Sequence, residues 1–202
     1  MVAPGKKQLL YISFLTLFGM SAMGILIISY WQHRDVNSVL LGSAPYYNHL
    51  GHKPHYLQAI AGLFFGSLAA LFAVALINTR RFRSVKTFFE NLITGVNPSF
   101  ISIIFYSFCA GVGEEILFRA GIQPIIGIWP AAILFVLLHG YIHPANLNLT
   151  IYGIFLIIMS AGFGYLFRFF GLGSAIIAHI VYDVSMFSVL KYSYHRVVVP
   201  ES

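Results

Sequence analysis

The sequence Gly-Glu-Glu-Ile-Leu-Phe-Arg, at residues 113–119, places two adjacent carboxylates and a guanidinium inside an otherwise apolar run. An ionisable side chain at bilayer depth costs about 2.5–3.5 kcal/mol on insertion scales, so it indicates a functional site with a partner nearby. Of the six acidic residues in the chain, Glu114, Glu115 and Asp183 lie within apolar segments. Charge is therefore concentrated where its burial is most costly.

The composition around this motif predicts an all-α polytopic membrane protein. The chain has 202 residues, of which 58% are hydrophobic and 9% charged, and its mean hydropathy is +0.81. These values exclude an ordinary soluble domain and predict the lipid bilayer as a partner. Although the net charge is +6, no basic patch interleaved with aromatic residues is present, so nucleic acid is excluded as a partner.

Six apolar segments predict a transmembrane bundle of about six spanning helices in one membrane domain. In the second segment, Gly62 and Gly66 form a small-xxx-small pattern that predicts close helix packing. An amphipathic stretch at residues 85–96 is expected to lie along the membrane surface. The predicted segments are residues 9–31, residues 56–79, a third that begins near residue 99, and residues 130–143, 146–170 and 172–190.

The basic residues predict the orientation of this bundle. With the N terminus in the cytosol, eight of them lie inside and four outside, which favours cytosolic termini and the cell inner (plasma) membrane. The turn at residues 127–129 would then face outside. The inside set is Lys6, Lys7, Arg80, Arg81, Arg83, Lys86, Lys191 and Arg196, and the outside set is Arg34, Lys53, Arg119 and Arg168.

Helical phase separates the two glutamates. Residues i and i+4 share a helix face, so Glu115 lies beside Arg119 while Glu114, about 100° away, points elsewhere. The predicted Glu115–Arg119 ion pair removes most of the burial penalty and has a structural role. Glu114 remains available as a general base or acid.

Three other polar residues are predicted to reach the depth of Glu114. With a rise of about 1.5 Å per residue, Glu114 lies about 20 Å from the side of the 127–129 turn, His139 about 14 Å, His179 about 9 Å and Asp183 about 15 Å. They therefore share one layer of the bundle. The alternative for each histidine taken singly is a hydrogen bond to a neighbouring helix.

These residues resemble the CAAX-processing and bacteriocin-immunity group of intramembrane proteases, which includes the eukaryotic prenyl-protein endopeptidases. The resemblance lies in three ordered motifs: Glu-Glu-x-x-x-Arg from Glu114 to Arg119, Phe-x-x-x-His from Phe135 to His139, and His-x-x-x-Asn/Asp from His179 to Asp183. It covers about residues 99–190. The implied division is two N-terminal transmembrane helices with loops at residues 1–98, a catalytic four-helix core at 99–190 and a polar tail at 191–202.

The resemblance implies a glutamate-dependent endopeptidase that acts on a membrane-associated or C-terminally tailed protein and needs no cofactor. Glu114, aided by His139 across one water, about 5–6 Å, would activate that water. His179 and Asp183 would stabilise the oxyanion. Because Asp183 replaces the asparagine of some relatives and an ionised carboxylate cannot donate, Asp183 either is protonated or orients a charged His179. Orientation is the preferred expectation. No residue is assigned to substrate binding or to a metal.

The resemblance also implies a conflict over topology. The site of the eukaryotic relatives opens to the cytosol, whereas the basic residues place the 127–129 turn outside. Either residues 85–96 hide a topological irregularity, or the protease works on exported proteins.

Two alternatives use the same residues. In the first, His139, His179 and either Glu114 or Asp183 hold a catalytic zinc ion, although no His-Glu-x-x-His motif is present. In the second, the protein is not an enzyme, and the polar cluster is the binding site of a bacteriocin-immunity protein or a proton-linked carrier.

Overall fold

The computed structural model describes residues 5–41, 53–94 and 96–198, and these contain helices and connecting turns but no strand. Residues 199–202 of the predicted tail and the side chain of Arg196 lie outside the described part. The helices are α1 Lys6–Trp31, α2 Val36–Leu41, α3 His55–Ile77, α4 Arg83–Thr94, α5 Phe100–Ile126, α6 Ile128–Leu138, α7 Leu147–Phe170 and α8 Leu172–Val198.

Five of the described helices are long and apolar enough to cross a membrane: α1, α3, α5, α7 and the part of α8 at Leu172–Ser193. The predicted all-α transmembrane bundle is therefore confirmed. The fourth predicted segment differs, because α6 has only 11 residues and a length of about 16 Å, roughly half the hydrocarbon core. It ends where Gly140 adopts a left-handed φ of 73°, and Pro144 follows, which cannot continue a helix.

Glycine brings α3 and α8 into backbone contact. A Cβ atom on Gly62 would lie 2.6 Å from the carbonyl oxygen of Ser174, and one on Gly66 would lie 2.5 Å from that of Ala178. Only a residue without a side chain allows this approach, so the predicted small-xxx-small packing is confirmed. Because residues 62 and 66 meet residues 174 and 178 in the same order, α3 and α8 run in parallel.

α1 and α5 are also parallel neighbours. A Cβ atom on Gly113 would collide with the carbonyl oxygen of Thr16, and a Cβ atom on Gly24 would lie 2.8 Å from the carbonyl oxygen of Ile116. The lack of a side chain at Gly113, which precedes Glu114, therefore allows α1 to pack against the backbone of α5. This contact places α1 beside the carboxylate that the sequence assigns to chemistry.

The helix directions define two ends of the bundle. Lys191 donates a 2.7 Å hydrogen bond from Nζ to the carbonyl oxygen of Pro98, so the later part of α8 lies beside the start of α5. At the opposite end, which we call the turn end, Gly127 and Gly171 make the α5–α6 and α7–α8 turns with φ values of 92° and 113°. The first end, here the basic end, carries Lys6, Lys7, Arg80, Arg81, Arg83, Lys86 and Lys191.

The segment from α6 to α7 returns the chain to the basic end. α7 begins there, since the ring of Tyr152 lies 5.7 Å from that of Phe89 in α4, and it ends at the Gly171 turn. The short α6 and residues 139–146 must therefore make the crossing together. Irregular backbone at such depth is tolerated only where it is buried in protein or lines a water-filled cavity.

Candidate active site

Glu115 lies in a closed polar network between three helices. Both Glu115 and Arg119 have no exposed surface. Arg119 donates from Nε to Glu115 Oε2 at 2.9 Å and from Nη2 to the hydroxyl of Ser160 on α7 at 2.8 Å. The predicted ion pair is thus present, and a serine that the sequence analysis missed extends it. Nothing in the sequence singles out Ser160 among the other serines.

His179 is held by the same network. Its Nδ1 lies 2.8 Å from Glu115 Oε1, and it acts as the donor because the carboxylate, paired with Arg119, only accepts. The sequence assigned the orientation of His179 to Asp183 instead. Asp183 Oδ2 lies 3.7 Å from Nε2, within ion-pair distance but too far for a direct hydrogen bond, so the role expected for Asp183 stays a prediction.

Glu114 faces two imidazoles. Its Oε2 lies 3.7 Å from His139 Nε2 and 3.8 Å from His179 Nε2. The structure therefore brings together all four residues that the sequence placed in one layer, and Glu114 and Asp183 both lie near Nε2 of His179. The Glu114–His139 separation is shorter than the distance expected for a linear water bridge, but a water on the cavity side can still contact both atoms.

The end of α6 sets the orientation of His139. Its Nδ1 donates a 2.7 Å hydrogen bond to the carbonyl oxygen of Phe135. In the neutral ring this leaves the lone pair on Nε2, the atom that faces Glu114. The Phe135 ring lies 4.3 Å from the ring of His139 and 5.7 Å from the Arg119 guanidinium. Phe135 thus packs between the network of Glu115, Arg119 and Ser160 and the cluster of Glu114, His139 and His179.

A cavity of about 260 Å³ adjoins this cluster, and Glu114, His139, His179 and Asp183 all line it. It lies on the basic-end side of the cluster. From the parts of α1, α5 and α8 nearest that end, it is lined by Leu9, Ile12, Tyr106, Met186 and Leu190. The expected conflict over topology rested on a site that opened at the 127–129 turn. The cavity extends away from that turn, toward the basic end.

α1 is a part of the cavity wall that sequence reasoning missed. Leu9, Ile12, Ser13 and Thr16 line the cavity, although residues 1–98 were placed outside the catalytic core. The only local signal is Gly113, whose lack of a side chain permits α1 to approach. A pattern of apolar residues in a membrane helix does not reveal which face meets a cavity.

Metal coordination has no preformed ligand set in the described part of the chain. Within residues 5–41, 53–94 and 96–198, no group of three or more His, Cys, Asp or Glu side chains is arranged to hold a metal ion. One nitrogen of His179 is already bonded to Glu115. Zinc therefore stays an alternative for experiment.

Comparison with known proteins adds one family. Residues 96–185 match the family described as Rce1-like, type II CAAX prenyl endopeptidase. The matched span contains all six polar residues of the three motifs and excludes α1 to α4. Among curated proteins and among solved structures, no match to this chain was found. The match confirms the family resemblance that the ordered motifs indicated.

Proposed function

Since residues 96–185 belong to the Rce1-like family of CAAX-type membrane proteases, we propose that this chain is an intramembrane endopeptidase. It hydrolyses a peptide bond of a membrane-associated or C-terminally tailed protein with water activated by Glu114 and His139. One observation carries this proposal: at the wall of a cavity inside an apolar bundle, Glu114 Oε2 lies 3.7 and 3.8 Å from two imidazole nitrogens.

The reaction starts with a water that contacts Glu114 and His139. Nε2 of His139 accepts one hydrogen bond from this water and Glu114 takes its other proton, so the oxygen attacks the scissile carbonyl carbon. A carbon–oxygen bond forms and the carbonyl becomes a tetrahedral oxyanion. Glu114 then returns the proton to the leaving nitrogen as the carbon–nitrogen bond breaks.

His179 stabilises the oxyanion in this mechanism. Its Nδ1 donates to Glu115, so donation from Nε2 to the oxyanion makes the ring an imidazolium. Asp183, 3.7 Å from Nε2, supports that positive charge without donating a hydrogen bond itself. Asp183 therefore acts through His179, and Glu115 fixes the ring.

The orientation follows from charge. The chain is an integral membrane protein, and the cell inner membrane is its proposed location. The positive-inside rule puts its basic end, and both termini with it, in the cytosol. Because the cavity extends toward the same end, the substrate reaches Glu114 from the cytosolic side. We therefore propose substrates on the cytosolic side of the membrane. The sequence analysis had considered exported proteins instead.

The test uses the full-length protein in lipid vesicles and a membrane-anchored, internally quenched peptide that ends in a cysteine and three further residues. One version carries a farnesyl group on the cysteine and the other does not. We expect cleavage by the unmodified protein and by the control Glu90→Gln, whose glutamate pairs with Lys86 on α4. Glu114→Gln and His139→Ala are expected to abolish it.

Each outcome has a distinct meaning. Cleavage that persists in Glu114→Gln refutes the mechanism. Cleavage that chelators remove and zinc restores, together with zinc in the purified protein, favours the metal alternative. Faster cleavage of the farnesylated peptide identifies a prenylated substrate. Equal cleavage rates for the two versions show that the peptide itself, and not the farnesyl group, is recognised.

A further inference from the structure

Two tyrosine hydroxyls meet in the wall of the same cavity. The hydroxyl oxygens of Tyr152 on α7 and Tyr182 on α8 lie 3.2 Å apart, and both side chains line the cavity beside Glu114. Tyr182 directly precedes Asp183. The catalytic mechanism above uses neither hydroxyl.

One of the two hydroxyl O–H groups has no hydrogen-bond acceptor among the described residues. Two hydroxyls carry two protons, and the bond between them uses one. Among the residues that the structure describes, neither hydroxyl has another acceptor. Tyr152 is 2% exposed and Tyr182 7%, and a buried donor without an acceptor is unfavourable. The unpaired O–H group therefore needs a hydrogen-bond acceptor on a molecule in the cavity.

The charges around the cavity select that acceptor. Its lining includes the carboxylates Glu114 and Asp183 and, among described residues, no lysine or arginine. The two carboxylates disfavour a further anionic group, since the two imidazoles in the lining, His139 and His179, already face Glu114. A backbone carbonyl oxygen is neutral, accepts without donating, and needs a donor wherever water is scarce.

On the basis of the proposed protease function, we propose that Tyr152 and Tyr182 position the substrate. The pair donates one hydrogen bond to a backbone carbonyl of the peptide bound in the cavity, and so aligns the peptide with Glu114. The hydroxyl that accepts from its partner keeps its own proton, and accepting makes it a stronger donor toward the substrate.

Aromatic packing keeps the pair in place. The Tyr152 ring lies 5.7 Å from Phe89, 6.4 Å from Tyr141 and 6.0 Å from Phe155, so three neighbours restrict it. The hydroxyls also join α7 to α8, the helix that carries His179 and Asp183. A carbonyl bound by the pair thus has a defined position relative to the catalytic groups.

The test combines tyrosine variants with altered peptides. In vesicles, kcat and KM are measured for Tyr152→Phe, Tyr182→Phe and the double variant, each with peptides in which one carbonyl at a time is replaced by a thiocarbonyl, a weaker acceptor. The control is Tyr165→Phe, because Tyr165 lies on α7 and does not line the cavity. Unfolding midpoints are measured for every variant.

We expect the double variant to raise KM roughly three- to tenfold while kcat changes by less than about twofold, as for the loss of one neutral hydrogen bond used in binding. One thiocarbonyl position should weaken binding to the unmodified protein and have no effect on the double variant. Equal KM values, or an equal thiocarbonyl effect in both proteins, would overturn the proposal. A structural role would change the midpoint but not the dependence on one carbonyl.

A binding measurement separates this proposal from proteolysis itself. A fluorescent form of the same peptide is bound to Glu114→Gln with and without the two phenylalanines. Affinity that falls roughly three- to tenfold supports the hydroxyl contact even if no peptide is cleaved. Affinity that stays the same refutes it, and leaves an ordered water as the acceptor of the unpaired O–H group.

Discussion

Glu114 and Glu115 are neighbours in the sequence and have opposite surroundings. Glu115 has no exposed surface, and its two oxygens accept hydrogen bonds from Arg119 and His179 at 2.9 and 2.8 Å. Glu114 faces a cavity, and its nearest imidazole nitrogens lie 3.7 and 3.8 Å away. One carboxylate is saturated, and the other keeps its capacity to bind a proton or a water.

The difference shows that two buried carboxylates in one membrane helix can be compensated to different extents. A carboxylate in an apolar bundle is tolerated when a cation and further donors satisfy it, as with Glu115. A group that is fully satisfied has little left to offer a substrate. The network around Glu115 therefore supports the site, and the less satisfied Glu114 is suited to the chemistry.

The largest expected effect comes from removing the proposed general base, Glu114. Glu114→Gln keeps the size of the side chain but cannot take a proton from water, so turnover of the membrane-anchored peptide should fall about 10²- to 10⁴-fold. The unfolding midpoint in detergent should stay near that of the unmodified protein. Similar losses of stability in Glu114→Gln and Glu115→Gln would end the distinction between the two residues.

The second prediction concerns the buried ion pair between Glu115 and Arg119. Arg119→Ala leaves Glu115 buried without its cation, and removing one partner of a buried pair costs about 3–5 kcal/mol. We expect a large drop in the unfolding midpoint and little folded protein. The matched variant replaces both Glu115 and Arg119 with leucine, and it should recover stability but not activity, because His179 loses its acceptor.

Ser160 sharpens the boundary of the closed network. Ser160→Ala removes the acceptor of Arg119 Nη2, and a hydrogen bond to a charged group contributes about 1.5–3 kcal/mol. The unfolding midpoint should fall accordingly, while KM for the peptide stays unchanged. Ser84→Ala, at an exposed position of α4, is the control. A midpoint equal to that of this control would place Ser160 outside the network.

The smallest effect is expected at Asp183. Glu115 rather than Asp183 holds the His179 ring, so Asp183→Asn should leave the ring in place and lower kcat by less than about tenfold, or 1.4 kcal/mol. Asp183→Ala should lower it further, because it removes the polar group of residue 183 and leaves only Glu114 near Nε2. Loss of activity in Asp183→Asn as complete as in Glu114→Gln would show that Asp183 belongs with the reacting groups.

Several features of this site were predictable because they depend on local geometry. The spacing of Glu115 and Arg119 along one helix is enough to predict their ion pair, whatever the rest of the fold. The depths of Glu114, His139, His179 and Asp183 follow from the helix rise and from the positions of two glycine turns. The length of α6 was less predictable: the predicted segment continued to residue 143, whereas the helix ends at Leu138 and Gly140 is left-handed.

The sequence by itself determined the membrane class, the helical bundle, the family resemblance and the layer in which the polar residues lie. These depend on composition, on the helical repeat and on ordered motifs, which are properties of single segments. Only the tertiary structure decided that Glu115 holds His179, that α1 walls the cavity, that the cavity extends toward the basic end, and that Tyr152 meets Tyr182. Each of these depends on the rotation and distance between helices, which arise from packing among segments far apart in the chain.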